Sequence, residues 1–448
     1  MTKEAGIPLY EELENGFTKI LSAPASSRRE SNDLRRARQS AFEKFRELGF
    51  PSIRNEDWRY TNIARFLKDT FTIDASEAAR VNFPTPDATL LEKAAIKSLD
   101  CYQVVLVNGS WNGVIQGGEL PAGIHLLKVA EASQDPALSS YFERTSEWNG
   151  QHFATLNAAL FADGLFIRAD AGALADKPLH IIHTFTADSN LWVQPRHVWV
   201  VNKNAELSVI ESVVSSGNAR IWINSLTEII VHPDAKLDHT VIQTAGAGVC
   251  LVQHTTVRQK RQSLYNNYTF TLPGSDLVRN DLQAKLEEEH TETHLYGLYL
   301  TAGHQLVDNH TLVDHQKPFC LSNELYKGVL LEQSTGVFNG KVYVHKDAQK
   351  TNAFQQNNNL VISNKATIDS KPQLEIFADD VKCSHGSTVG QFSEDALFYL
   401  RARGIGEEMA KSLLINAFAF DVTEKLKIPA VEAHINELIH FHIPVDNA

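Results

Sequence analysis

The sequence predicts an all-β core with a helical region on each side, and three observations support this fold class. From Leu165 to Phe377, short segments rich in β-branched and aromatic residues alternate with turn residues. Before residue 164 and after residue 392, apolar residues recur at helical spacing instead. The predicted domains are a mainly helical N-terminal domain (1–163), a β core (164–392) and a C-terminal helical domain (393–448).

The N-terminal domain begins its best-defined helix after Ser31, a good N-cap residue. Gly49 and Pro51 predict the end of that helix. Its apolar face is Leu34, Ala37, Ala41, Phe42, Phe45 and Leu48. Further elements predicted in this domain are a loop followed by a short helix within 76–98, a strand over Gln103–Val107 that ends at the turn Asn108-Gly109, and a helix over His152–Phe161.

Two all-β architectures fit the central domain: a sandwich or barrel, and a solenoid of stacked rungs. A single sandwich of this length would be large, whereas each rung of a solenoid contacts only its neighbours. No repeat of fixed length stands out, so the pattern favours the solenoid without excluding the sandwich. Asn357-Asn358-Asn359 fit an asparagine ladder inside such a stack, although we expect three surface asparagines in a turn.

Three short helices are predicted after Phe392. Ser393 caps the first, which carries Glu394 and Asp395 in its first turn, and Gly404 ends it. The second opens at Glu407 and the third at Pro429. We expect these helices to dock through three apolar stripes: Ala396, Leu397 and Leu400; Met409, Leu413, Leu414, Ala417 and Phe418; and Val431, Ile435, Leu438 and Ile439.

Composition and charge restrict the classes of partner. The net charge of −12 argues against broad binding of nucleic acid or anionic membranes. The four cysteines are scattered and form no Cys-x-x-Cys motif, which indicates a reducing compartment. Met1–Tyr10 has no apolar signal region, and no stretch reaches the roughly 20 apolar residues of a membrane span. We therefore expect a cytoplasmic protein.

Cys383 and His385 form the candidate metal-binding pair. They lie two residues apart at the end of the last predicted strand, so both side chains project from the same face. A thiolate and an imidazole together suit iron or zinc better than calcium or magnesium. Because a closed site normally takes four ligands, the others would come from elsewhere in the chain or from a partner. Taken alone, such a pair more often serves packing.

Two other motifs are excluded by their details. Gly336–Lys341 resembles a phosphate loop but has three residues between its glycines instead of four, and Val342 follows the lysine. The turn around Gly404 resembles a helix-hairpin-helix DNA-binding motif. Glu407 and Glu408 stand where phosphate would bind and would repel it, so we expect no nucleic-acid binding.

A dense run of histidines lies between residues 290 and 315. His290 and His294 share a face in a strand or a helix, so they are candidates for a metal pair. Polar rung positions or a solvated edge remain the preferred interpretation for the set, which is His290, His294, His304, His310 and His315. No Ser-His-Asp or His-Glu-x-x-His pattern is present.

In order along the chain, these motifs resemble the SufD family, scaffold subunits of the SufBCD complex that assembles iron–sulfur clusters. The likeness covers essentially the whole chain, and a series this long is far more specific than any single member. The segments that carry it are Glu56–Thr61, Asn323–Gly328, Phe338–Val342, Ala353–Gln355, Asn359–Leu360, Lys371–Ile376, Cys383–Gly386 and the helices from Tyr399 to Phe418.

The resemblance implies a right-handed parallel β-helix flanked by N-terminal and C-terminal α-helical domains. It also implies a non-catalytic scaffold that pairs end to end with a SufB-like paralogue and binds a SufC-like ABC ATPase, with a homodimer as a further expectation for the isolated chain. The chain lacks the clustered N-terminal cysteines of the paralogue, which favours the SufD side of the pair. The alternative is a β-helix carbohydrate-active enzyme, a class that carries acidic clusters in an exposed groove and is usually exported.

The resemblance also implies the site residues. By motif match, His385 is the metal ligand that this subunit offers to a transient iron–sulfur cluster at the junction of the two scaffolds. Cys383 is a second contributor, and the paralogue supplies the principal cysteine. No cofactor is expected to be bound permanently. The expected ATPase contacts are Tyr399, Arg401, Arg403, Gly404, Ile405, Met409 and Leu413.

Overall fold

The computed structural model describes residues 7–22, 31–73, 85–135 and 151–443. From Arg196 to Gly390, consecutive strands alternate between two sheets, and each strand pairs with the strand two positions before or after it. This is the topology of a parallel β-helix, in which every turn contributes one strand to each sheet. The predicted solenoid is therefore confirmed, and the sandwich is excluded.

The α-helices of the described residues are α1 (Ile7–Ser22), α2 (Asn32–Leu48), α3 (Ala88–Ala94), α4 (Val129–Ala132), α5 (His152–Leu160), α6 (Glu394–Ala402), α7 (Glu407–Thr423) and α8 (Pro429–His442). Two short 3-10 helices lie at Glu56–Trp58 and Ile63–Arg65. The strands before the regular solenoid are β1 (Thr72–Ile73), β2 (Tyr102–Val107), β3 (Ser110–Gln116), β4 (Ile124–Lys128), β5 (Leu165–Ala169), β6 (Leu179–Phe185) and β7 (Leu191–Val193).

The strands of the regular solenoid are β8 (Arg196–Val201), β9 (Glu206–Ser215), β10 (Ile221–Val231), β11 (Lys236–Gln243), β12 (Val249–Gln259), β13 (Leu264–Thr271), β14 (Leu277–Leu286), β15 (Glu292–Thr301), β16 (Leu306–His315), β17 (Leu321–Leu330), β18 (Thr335–Val344), β19 (Asn352–Val361), β20 (Thr367–Ile376) and β21 (Lys382–Gly390). Sheet A has the order β20-β18-β16-β14-β12-β10-β8-β5-β4, with β1 and β7 beside it. Sheet B has the order β21-β19-β17-β15-β13-β11-β9-β6-β2-β3.

The length of a turn varies, which explains why no repeat stood out in the sequence. Residues paired in successive turns are between 27 positions apart (Cys250 and Leu277) and 32 apart (Thr335 and Thr367). One corner of the solenoid repeats a left-handed residue with φ between 58° and 62° in six turns: Asn204, Asp234, Gln262, His290, Phe319 and Lys350. Each donates its N–H to a backbone carbonyl in the next turn. Six residue types share one backbone role, so no motif marks the repeat.

Helices pack on both outer faces of the solenoid. On sheet A, Phe153 of α5 stacks on Trp222, whose ring stacks on Trp192 with the centroids 4.8 Å apart. On sheet B, the C-terminal helices bury Ile415 and Ala419 against Leu298 and other apolar side chains of β13 to β17. Such burial on a sheet face is the main source of stability for short helices. The predicted docking is confirmed for α7 and α8, whereas α6 buries none of its residues and its predicted stripe of Ala396, Leu397 and Leu400 is only half-buried.

The apolar stripe predicted for α7 is wrong. Met409 and Leu413 are exposed, and the residues that α7 buries are Ala410, Ser412, Ile415, Ala419, Val422 and Thr423. Apolar residues occur on all sides of this helix, so their spacing could not select the docked face. The stripe of α8 is as predicted, with Val431, Ile435 and Ile439 buried.

The predicted N-terminal elements are present. Ser31 caps α2 by accepting the Leu34 N–H at 3.2 Å, and Gly49 ends that helix with φ 65°. The predicted strand is β2, and the predicted helices are α3 and α5. The loop predicted before α3 falls mostly at 74–84, outside the described residues. Strands β2, β3 and β4 belong to sheets A and B, so the solenoid begins within the domain predicted as mainly helical.

Candidate functional site

The C-terminal end of the solenoid is open. Among the described residues, no strand pairs with the outer edge of β20 or β21. Every residue of β21 is exposed or only half-buried, although the strand before it, β19, buries alternate residues. An unpaired strand edge of this kind presents free backbone N–H and C=O groups to another chain.

Cys383 and His385 lie on this last strand. The register pairs Cys383 with Ala353 and His385 with Gln355, and both partners on β19 are buried. Because side chains paired between parallel strands share a face, Cys383 and His385 lie on the inward face of the terminal turn. The structure therefore places the two candidate ligands together, on a face that no further turn covers.

The two side chains differ in their surroundings. Cys383 is half-buried and packs at the edge of a small apolar cluster that contains Ala353 and Ala378. Burial raises the pKa of the Cys383 thiol, although a hydrogen bond with the Ala353 backbone acts in the opposite direction. A thiol in this state becomes a thiolate ligand only when a metal displaces its proton. The imidazole of His385 is exposed.

A column of inward side chains leads from the solenoid interior to His385. Glu324, Gln355 and His385 occupy the same register position on β17, β19 and β21. Glu324 is buried and accepts hydrogen bonds from Thr311 Oγ1 and from Gln355 Nε2, the latter at 2.7 Å. Burial raises the pKa of Glu324 to about 7, because these hydrogen bonds only partly offset the loss of water.

A second polar chain reaches the open end beside this column. Asn357 Nδ2 donates to the carbonyl of Tyr326 at 3.2 Å, which fixes the amide so that Oδ1 accepts. Oδ1 accepts from Asn359 Nδ2 and from Ser370 Oγ, both at 2.7 Å. Ser370 Oγ lies 2.9 Å from Ser387 Oγ. Since Ser370 gives its hydrogen to Asn357, Ser387 donates to Ser370.

The asparagine run is thus not a surface turn, as the sequence had led us to expect. Asn357 and Asn359 are buried inside β19, and Asn358 lies between them on the other face. They do not form an asparagine ladder either, because the residues paired with them on β17 are Tyr326 and Gly328. Gly328 leaves the space that the Tyr299 ring fills, since a Cβ there would lie 2.5 Å from that ring.

The five histidines between 290 and 315 do not converge. His290 is one of the left-handed corner residues and stacks on Phe319, while His294 lies on β15 beside Glu292 at 2.7 Å. His304 is exposed in a turn, and His310 lies 3.0 Å from Asp308 on the outer face of sheet A. His315 points inward, lies 2.9 Å from Ser322 Oγ, and has its pKa lowered to about 3 by burial.

Sequence reasoning missed a buried cluster near the N-terminal end. The carboxylate of Glu211 lies 2.7 Å from His183 Nε2 and 2.7 Å from His239 Nε2. Burial raises the pKa of Glu211, but the hydrogen bonds from the two imidazoles outweigh it, and the pKa is lowered overall. These residues lie far apart in sequence, so only the register of β6, β9 and β11 brings them together.

This cluster is a network of hydrogen bonds in which His197 is not available as a metal ligand. Donor atoms of His183, His197 and Glu211 lie within 4.8 Å of one another. However, His197 Nδ1 accepts the Leu165 N–H at 3.1 Å, so the other ring nitrogen carries the hydrogen. A metal-ligating imidazole instead donates through its second nitrogen.

The segment Glu56–Thr61 attaches the N-terminal region to sheet A. The Arg279 guanidinium lies 3.8 Å from the centroid of the Trp58 ring and donates to the Asp57 carbonyl at 2.9 Å. Thr61 Oγ1 donates to Asp308. A cavity of about 200 Å³ lies between this segment and sheet A. The carboxylates of Asp281 and Asp308 beside it pair with Arg279, His254 and His310, so they are not free acidic groups.

The expected ATPase contacts cluster at the corner between α6 and α7. Tyr399, Met409 and Leu413 are 56%, 43% and 45% exposed, and Phe398 beside them is 74% exposed. Arg403 lies over the Tyr399 ring, Arg401 lies 3.4 Å from Glu407, Gly404 turns the chain with φ 85°, and Ile405 is half-buried. An exposed apolar patch rimmed by polar groups is typical of a protein–protein contact.

The fold and the site define a β-helical protein that carries a candidate metal-binding pair, Cys383 and His385, at an open end. Residues 21–181 match the family model for the SufBD protein N-terminal region, and residues 183–418 match that for the SUF system FeS cluster assembly, SufBD core domain. The chain belongs to the SufBD family of iron–sulfur cluster assembly proteins.

Relatives are similar over nearly the full length. An iron–sulfur cluster assembly SufBD family protein of Synechocystis is 31% identical over 440 residues, which cover 96% of this chain and 95% of the relative. The iron–sulfur cluster assembly protein SufD of Escherichia coli is 28% identical over 409 residues, which cover 91% and 92%. The carbohydrate-active alternative is not favoured. None of the described helices is long and apolar enough to cross a membrane.

Proposed function

We propose that this chain is a non-catalytic scaffold subunit for iron–sulfur cluster assembly in the cytoplasm. It pairs with a SufB-like paralogue and a SufC-like ABC ATPase. The observation that carries the proposal is the open end of the solenoid, where β20 and β21 lack a neighbour among the described residues and Cys383 and His385 lie on the inward face of the last strand. A paralogous β-helix that stacks on this end would pair the free strand edges and bury the inward face.

In this proposal, the nascent cluster is cargo held between two subunits. His385 supplies one ligand, Cys383 is a second contributor, and the paralogue supplies the rest, because two groups cannot complete a four-ligand shell. A cluster bound by few ligands from each side is released when the subunits move apart. The raised pKa of the Cys383 thiol favours His385 as the first ligand, since an imidazole loses no proton when it binds.

The test compares His385→Ala with Ser384→Ala in the purified three-subunit complex. Ser384 is a matched control because it is the neighbour of His385 on β21 and points to the other face. After reconstitution with ferrous iron and sulfide, we expect His385→Ala to retain much less cluster, measured by visible absorbance and by iron and sulfide content. Equal cluster content in the three complexes would contradict the ligand assignment.

The helical corner is proposed as the ATPase contact. The change Met409→Asp with Leu413→Asp puts two charges into the exposed apolar patch, so we expect the ATPase to be lost from the purified complex while the paralogue stays bound. The control is Phe441→Asp, which alters a side chain that is 80% exposed on α8. Retention of the ATPase by the double variant would rule out this corner.

The isolated chain is proposed to form a homodimer through the same open end. Two copies that stack β21 against β21 would satisfy the strand edges that the paralogue otherwise covers. Sedimentation of the isolated chain tests this, with Val389→Asp to place a charge on the inward face of β21. We expect a dimer that this variant dissociates, and a wild-type monomer at all concentrations would contradict it.

A further inference from the structure

A buried acceptor lies directly beneath His385. Gln355 is 1% exposed, and its Oε1 atom is buried and has no hydrogen-bond partner among the described residues. A buried polar atom without a partner costs about 1–3 kcal/mol, so native proteins rarely leave one unless something else supplies the partner. The register makes His385 the next inward side chain after Gln355.

The orientation of the Gln355 amide is set from the interior. Its Nε2 atom donates to Glu324 Oε2 at 2.7 Å, and above its pKa of about 7 Glu324 is an ionised carboxylate, which can only accept. Thr311 donates to the other oxygen of Glu324, which fixes the carboxylate in turn. Nitrogen and oxygen lie on opposite sides of an amide group, so Oε1 is on the side of Gln355 that faces away from Glu324. The amide thus presents an acceptor and not a donor.

We infer that Gln355, held by Glu324, positions the imidazole of His385 by accepting one ring N–H. This inference rests on the proposed role of His385 as a ligand. A ligating histidine generally donates its second ring N–H to an oxygen acceptor, which selects the tautomer and leaves the other nitrogen free for the metal. Gln355 is a positioning residue, because it reaches the cluster only through His385.

Stacking of the partner completes this arrangement. In the isolated chain the imidazole is exposed, so water competes for its N–H groups. When another β-helix covers the open end, that water is removed, and the unpaired Oε1 of Gln355 becomes the available acceptor for the ring. The hydrogen bond to Gln355 is therefore expected in the complex, where the cluster is held.

The test compares Gln355→Leu with Gln356→Leu, a neighbouring glutamine on β19 whose side chain is exposed on the other face. In the complex with the paralogue and without cluster, at pH 8 where Glu324 is ionised, the nitrogen chemical shifts of ¹⁵N-labelled histidine report the tautomer of His385. Its signal is identified by its loss in His385→Asn. We expect one tautomer in the wild type and in Gln356→Leu, and a mixture of both in Gln355→Leu.

A second measurement follows iron loss to a chelator after reconstitution with ferrous iron and sulfide. Loss of an outer-shell partner typically weakens metal binding by about 10–100-fold, so we expect Gln355→Leu to lose iron at least about 10 times faster. If Gln355→Leu does not fold, Glu324→Gln is the second variant, because it changes the side-chain volume very little. It no longer fixes the orientation of the Gln355 amide, so we expect both tautomers of His385.

The outcomes separate this inference from the proposed function. An unchanged His385 tautomer in folded Gln355→Leu, or in Glu324→Gln if the first variant does not fold, overturns the positioning role. A mixed tautomer in Gln355→Leu together with full cluster content in His385→Ala supports the positioning of the ring and refutes the role of His385 as a ligand.

Discussion

The first and last turns of the solenoid differ in how their strand edges and interior are covered. At the N-terminal end the chain reverses, and β3 and β4 pair antiparallel with β2 and β5 over an apolar interior. At the C-terminal end, β20 and β21 continue the parallel stack and stop without a cover among the described residues. The first end is closed by antiparallel strands of this chain, whereas the inward face of the second has no covering strand among the described residues.

Two buried carboxylates show the same contrast. Glu211, in the N-terminal half, has two imidazoles at 2.7 Å, and its pKa is lowered. Glu324, two turns from the open end, has only neutral donors, and burial raises its pKa to about 7. Removing the partner of a buried charge is costly, whereas a buried carboxyl without a charged partner holds its proton more strongly. Glu211 therefore depends on its two neighbouring imidazoles, whereas Glu324 favours the protonated form.

The largest expected change in stability is for removal of the Glu211 carboxylate. Glu211→Ala leaves two buried imidazoles without their common acceptor and should lower the free energy of unfolding by about 3–5 kcal/mol. Glu206→Ala is the matched control on the same strand, because it removes an exposed pair with Lys236 and should cost at most about 1 kcal/mol. Denaturant unfolding of both variants measures the difference, and equal losses would show that Glu211 is not a structural centre.

Glu324, which has no charged partner, should make the stability of the fold depend on pH. The folded-state pKa of Glu324, about 7, lies above its ordinary value of 4.5, so the folded state holds the proton more strongly than the unfolded state. The resulting contribution of Glu324 to the free energy of unfolding is fully present below pH 4.5 and is lost as the pH rises to about 7. The loss is at most about 3 kcal/mol.

The variant Glu324→Gln has no group that ionises at this position, so its stability should not fall between pH 4.5 and pH 8 for this reason. We expect the variant to be more stable than the wild type at pH 8 by about 1–3 kcal/mol and close to it at pH 4.5. The measurement is denaturant unfolding at both pH values. A variant that is equally destabilised at both would mean that Glu324 stabilises the fold through its hydrogen bonds in either protonation state.

The smallest expected effect is that of a valine-to-alanine substitution at the C-terminal end of the solenoid, compared with the same substitution at the N-terminal end. Val104 is fully buried in β2, whereas Val389 on β21 is 57% exposed although it lies on the inward face. Val104→Ala should cost about 2–3 kcal/mol, from lost burial and the cavity left behind. Val389→Ala should change stability by less than about 0.5 kcal/mol in the monomeric chain. A large loss at Val389 would mean that the open end is already covered.

Local patterns predicted the elements well, because each depends on neighbours in sequence. Ser31 and Gly49 bound α2, Ser393 caps α6, and Pro429 begins α8, as expected from capping chemistry. The spacing of Cys383 and His385 also predicted their common face. The docked face of α7 and the burial of Asn357 were missed, because both depend on what packs against the segment and not on the segment itself.

The sequence by itself determined the β class of the core, the helices that follow it, the caps of those helices, and the placement of one thiol and one imidazole on the same face of one strand. Only the tertiary structure decided the register of the solenoid. That register places Glu211 between two histidines, stacks Gln355 beneath His385 and leaves the terminal turn uncovered. Because the turns vary in length from 27 to 32 residues, the sequence has no fixed repeat from which the register could be predicted. The backbone pairing of distant strands also does not depend on local residue patterns.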